Sequence, residues 1–178
     1  MRHLFALFLA SLLLWTLTAL ANHYVAPLHV FLFVGGLFVT FPAMALPPRL
    51  AIFAALLAGL LCDAGTSVRF GLHALLFGLA TAGIVYLRDR LAREETILQT
   101  FIAVLANVVL FLALALTQLW SFPAPGALVG RMLWDLLWSL VFIALVGPWF
   151  FALQRRTLEL ADAVATSLHR RKQVDRHS

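Results

Sequence analysis

Gly59-Leu60-Leu61-Cys62-Asp63-Ala64-Gly65-Thr66-Ser67-Val68-Arg69-Phe70-Gly71-Leu72-His73-Ala74-Leu75-Leu76-Phe77, followed by an apolar run to Tyr86 and by Arg88-Asp89-Arg90, carries the deciding pattern of this chain. Two apolar runs flank a short polar turn that holds an acid, a base and two glycines, and a histidine stands just inside the second run. In a chain made mostly of apolar residues, such a turn is where specificity is expected.

Composition sets the class. Hydrophobic residues make up 63% of the 178, charged residues 12%, and the mean hydropathy is +0.97. Ordinary soluble domains are about half apolar, so the chain reads as an integral membrane protein with one membrane domain over 1–153 and a basic tail over 154–178. Cys62 is the single cysteine, which excludes an internal disulfide and a cysteine-based metal cluster. The net charge of +5 is explained by topology and anionic lipid rather than by nucleic acid.

Apolar runs at 4–21, 25–41, 50–62, 70–87, 97–120 and 132–153 predict an all-α bundle of six transmembrane helices. The third run has 13 residues, about 20 Å of helix against a hydrocarbon core of about 30 Å. It must borrow length from Leu46, with Arg49 snorkelling, or stop short and leave the polar turn below the membrane surface, where protein or a wet cavity must cover it. With the first residue in the cytoplasm, Arg2, Arg49, Arg88, Arg90, Arg93, Arg155, Arg156, Arg170, Arg171, Lys172 and Arg176 lie inside and only Arg69 and Arg131 outside. That asymmetry predicts two cytoplasmic termini and an Asp63 turn that faces the periplasm or exterior. Ala19-Leu20-Ala21 resembles a cleavage site, and cleavage would leave five spans; the apolar run before it is longer than a signal-peptide core, which favours the uncleaved chain.

Small residues recur four apart at Ala51, Ala55 and Gly59, and again at Ala74, Gly78 and Ala82. Such seams let backbones approach in lipid, so the third and fourth spans are expected to pack as a tight hairpin. Gly147-Pro148 predicts a kink in the last span. Beyond it, Leu153, Leu158, Ala161, Ala165 and Leu168 share one helical face, which predicts a cytoplasmic amphipathic C-terminal helix ending at Arg170, Arg171 and Lys172 against anionic lipid or a cytoplasmic partner.

Ionisable groups within a membrane chain are functional candidates because burying them unpaired is costly. Asp63 and Arg69 bracket the turn and can pair across it or meet a partner, with Gly65 and Gly71 supplying permissive backbone. His73 is close enough to hydrogen-bond within the turn, and with only Thr81 and Tyr86 as polar residues beyond it, a structural role outweighs a proton relay. Arg131 and Asp135, four apart, are expected to form a local ion pair. Asn107, Gln118 and His29 are expected to bond across helices or to interfacial water. No zinc-binding histidine pair, nucleophile elbow, phosphate loop or magnesium-holding acidic cluster occurs in the sequence, which argues against catalysis and against a cofactor.

Leu46-Pro47-Pro48, Gly59-Leu60-Leu61-Cys62-Asp63, Phe70-Gly71-Leu72-His73-Ala74-Leu75-Leu76-Phe77 and Tyr86 together resemble the rod shape-determining protein MreD family. The turn here lacks the proline that the family pattern places before the glycine. The resemblance implies a non-enzymatic inner-membrane component of the bacterial cell-elongation machinery. Members bind the bitopic protein MreC and, with it, link MreB filaments to the peptidoglycan synthases RodA and its transpeptidase partner. It implies that Asp63, Gly65, Arg69, Gly71 and His73 form the partner-binding face. A second expectation is the S component of an energy-coupling factor vitamin transporter, a bundle of similar size in which the Ala6 and Ala10 seam would meet the coupling subunit.

Overall fold

A computed structural model describes residues 2–66, 69–88, 96–119 and 125–174, with side chains placed at 8–66, 69–88, 96–119, 128–157 and Glu159. Among the described residues there are six α-helices: α1 (Arg2–Val25), α2 (Gly35–Ala45), α3 (Pro48–Ala64), α4 (Leu72–Leu87), α5 (Thr96–Leu119) and α6 (Pro125–Val174). Three stretches, Phe8–Leu28, Thr96–Leu119 and Leu128–Thr157, are long and apolar enough to cross a membrane. At 17 and 16 residues, α3 and α4 reach about 25 Å, and α3 takes in Pro48, Arg49, Asp63 and Ala64 beyond the apolar run 50–62.

The second apolar run is not one helix. After α1 a 3-10 turn, Ala26–Leu28, ends at His29 in the left-handed conformation (φ +55°). Residues 30–34 then have no helical or strand structure, and only at Gly35 does an 11-residue helix begin. Hydropathy cannot register this break because 25–41 is apolar on both sides of it, and the residues that stabilise the break lie on other helices. α2 ends at Leu46, which is extended as the residue before a proline must be, and Pro47-Pro48 then starts α3 with a proline at its first helical position.

α2 is the centre of the molecule. Every residue from Gly35 to Met44 is buried, enclosed by α3, α4 and α5, with α1 and α6 outside. Large apolar side chains on α5 and α6, such as Leu105, Leu116, Leu133 and Leu145, point outward, as a lipid-facing surface requires. The α3–α4 hairpin closes on the predicted seam: a Cβ on Gly59 would lie 2.6 Å from Ala74 N, and one on Gly78 3.0 Å from Leu56 Cδ2. Ala51, Ala55 and Ala74 are buried. Ala82 is exposed and outside the seam, because α4 turns that face away. A second close crossing, absent from the sequence reading, joins α2 to α5, where a Cβ on Gly36 would strike Ala103 O and lie 2.9 Å from Asn107 Cβ.

α6 is helical through Gly147 and Pro148 and continues without interruption past residue 153 to Val174. The 154–178 tail is thus, as far as Val174, a continuation of the last apolar helix and not a separate element. A Cβ on Gly147 would lie 3.1 Å from Thr100 Cγ2, so this glycine admits α5. The side chains of Arg170, Arg171 and Lys172 fall outside the described residues, as does that of Ala6.

Candidate functional site

The polar groups of the helix ends gather at one end of the bundle, and Asp63 is their centre. It is 3% exposed at the end of α3. Its Oδ2 accepts from the Gly71 N–H at 3.0 Å and the Ala74 N–H at 3.3 Å, while Oδ1 accepts from the His73 N–H at 3.1 Å and from His73 Nδ1 at 2.8 Å. A helix N-terminus leaves its first N–H groups unpartnered and carries partial positive charge. Leu72 and His73, which open α4, have no side-chain cap of their own. Asp63 supplies one from the neighbouring helix. Gly71, at φ +94°, lets the chain turn sharply enough to aim these donors back at α3.

The expected Asp63–Arg69 pair is not formed. The carboxylate is turned inward to four donors while Arg69 is exposed beside Phe70. Gly65 needs no special backbone, with φ −100°; it is small because Trp15 of α1 lies over it, 2.7 Å from where a Cβ would stand. His73 is buried and held, with its Nδ1 committed to Asp63 and its ring edge-on to Phe77 at 6.0 Å.

The broken second span is the other half of the site. Extended backbone inside an apolar bundle must find partners, and here they are side chains from α1, α5 and α6. The Phe31 N–H donates to Asp135 Oδ1 at 2.9 Å and the Phe33 N–H to Ser139 Oγ at 2.9 Å. Asn22 accepts from the Leu32 N–H at 2.7 Å and returns a bond to Leu32 O at 3.0 Å. The Gly36 N–H, at the start of α2, donates to Asn107 Oδ1 at 3.0 Å. Asn107 therefore does bond across helices. Asp135, expected to pair with Arg131, instead fixes Phe31; both sit on one face of α6, but among the described residues the carboxylate's partner is the backbone. At the far end of α2, Arg88 Nη1 donates to Ala43 O at 3.1 Å and Leu46 O at 2.7 Å, so a cation closes the negative end of this helix.

Between these two networks lies a half-open cleft of about 670 Å³. α1 contributes Trp15, Thr18 and Asn22; the extended segment contributes Phe31 and Phe33; α4 contributes His73; α5 contributes Phe111 and Gln118; and α6 contributes Arg131 and Asp135. Cys62 and Gly65 close its floor on the α3 side. The sequence does not disclose this cleft, because its lining comes from all six helices and the extended segment. The signal available in sequence was the set of polar residues Asn107, Asp135 and Ser139, each within an apolar run, with Asn22 just past the end of the first.

Among the described residues, the fold and site define a small helical protein of membrane-protein composition, built around a short buried helix and a half-open cleft. Residues 1–157 match the family of the rod shape-determining protein MreD, and the chain belongs to that family. No curated protein and no solved structure matches the chain at a significant level. Membership makes it a membrane protein with a role in determining rod shape.

Proposed function

We propose that this protein is a non-enzymatic scaffold of the cell-elongation machinery in the bacterial inner membrane, with both termini in the cytoplasm. In this reading it binds an MreC-like bitopic protein and helps link MreB filaments to RodA and its transpeptidase partner. The observation that carries the reading is the Asp63 cap on the start of α4. Asp63 ties the end of α3 to Gly71, His73 and Ala74, and just before them Arg69 and Phe70, the latter 75% exposed, face outward. An exposed aromatic beside an arginine next to a tied helix start is a suitable anchor for a protein partner. Asp63, Gly65, Gly71 and His73 are the positioning residues of that face, and Arg69 and Phe70 its contact surface.

The test is a mild-detergent pull-down of the tagged protein from its host, compared with F70A and R69E. Recovery of MreC and the synthases with the unaltered protein, and its loss with the variants, supports the reading; full recovery with both variants removes the turn from it. The cleft favours a second reading, the S component of an energy-coupling factor transporter, because its volume suits a small molecule. A coupling subunit with paired ATPases in the same pull-down would establish that alternative.

A further inference from the structure

One buried carboxylate borders the cleft with an oxygen that no described residue bonds. Asp135 is 7% exposed, and its Oδ1 takes the Phe31 N–H. Its Oδ2 receives no hydrogen bond from the described residues, yet it is not sealed inside protein, since the residue lines the cleft. His73 is 4% exposed and its Nδ1 is committed to Asp63, which accepts from backbone N–H groups at both oxygens. The ring held in this way also lines the cleft. One helical turn before Asp135, Arg131 stands exposed on the rim, on the same face of α6. Trp15, Phe33 and Phe111 give the wall an apolar stretch beside the polar Thr18, Asn22 and Gln118.

A carboxylate oxygen bordering the cleft calls for a donor, and a carboxylate favours a cationic one. A guanidinium on the rim calls for an anion, and phosphate suits its planar fork. The two charges are a turn apart and not paired with each other. We infer that the cleft binds a zwitterionic head group in which a primary ammonium and a phosphate are joined by a short bridge, as in an ethanolamine phospholipid. The ammonium sits against Asp135 and the phosphate against Arg131, with the apolar part of the molecule along Trp15, Phe33 and Phe111. The position fits a lipid: the cleft is lined by the ends of α1, α3 and α5 and the beginnings of α4 and α6, and the exposed Trp134–Trp138 pair, 5.8 Å apart on α6, stands at the same level. This inference does not depend on which proteins the molecule binds.

The experiment uses the full-length protein, delipidated in mild detergent and titrated with phosphatidylethanolamine or phosphatidylglycerol of identical acyl chains, with bound lipid counted by native mass spectrometry. One equivalent of the ethanolamine lipid is expected to bind, preferred by about tenfold, and both D135N and R131Q are expected to reduce that preference to near unity. D135N retains an amide oxygen for the Phe31 N–H, and R131Q alters an exposed side chain, so neither removes a bond that the fold uses. Competition by soluble glycerophosphoethanolamine would show that the head group alone is recognised and that the source can be soluble; its failure would assign the source to the bilayer. Equal binding of the two lipids, or a preference untouched by D135N and R131Q, overturns the inference.

Discussion

Asp63 shows how much one carboxylate can hold when its partners are backbone donors. It closes the N-terminus of α4, fixes the ring of His73 and ties two helices at a turn, all without a formal cation beside it. Replacing Asp63 by alanine leaves several buried donors unsatisfied, each worth about 1–3 kcal/mol, so a loss on the order of 3 kcal/mol is expected in denaturant titrations in detergent. H73A, which removes one of the four bonds, is expected to cost less than half as much, and a reversed order would contradict the capping role. Both residues stood out in the sequence as ionisable groups in an apolar chain. Their relation to Arg69 did not follow, because nearest opposite charge is the wrong rule where a helix terminus offers three N–H groups. The same substitution of backbone for counter-ion happened at Asp135, whose neighbour in sequence is Arg131 and whose neighbour in space is Phe31.

Among the elements, α2 carries the architecture while being too short to cross a bilayer. Gly36 near its start lets α5 come against its backbone, and G36V is expected to prevent that approach and reduce the yield of folded protein sharply, measured by size-exclusion monodispersity. S139A and N22A each remove one support of the extended segment. About 1–2 kcal/mol should be lost in either, with the double variant losing more than the sum if 30–34 detaches as a unit. The α3–α4 hairpin was legible from spacing alone, since Gly59 and Ala74 report close approach without reference to any other helix. The break at 29–34 was not, since its stabilising groups are an asparagine, an aspartate and a serine that each look incidental in their own runs.

For the molecule as a whole, the cleft joins what the two ends of the sequence contribute separately, α1 on one side and α5 and α6 on the other. Cys62, half-buried at its floor and the sole thiol, is a native reporter of occupancy. Its reaction with a membrane-permeant maleimide is expected to slow several-fold when ethanolamine phospholipid replaces phosphatidylglycerol in nanodiscs, a comparison read by mass shift over time. Membrane character and helix count were legible from composition, whereas the arrangement around α2 needed contacts separated by 71 to 106 residues. Those separations also set a timetable for biogenesis. Phe33 leaves the ribosome 106 residues ahead of Ser139, an interval of roughly 5–20 s at ordinary rates of synthesis. Throughout that interval Asn22 can hold Leu32, but the Phe31 and Phe33 amides have not yet met Asp135 and Ser139, so that part of the segment must wait at the water-facing margin of the bilayer or beside the insertion machinery. The central helix of the finished protein is thus among the last to take its place, and the order of insertion differs from the order of the chain.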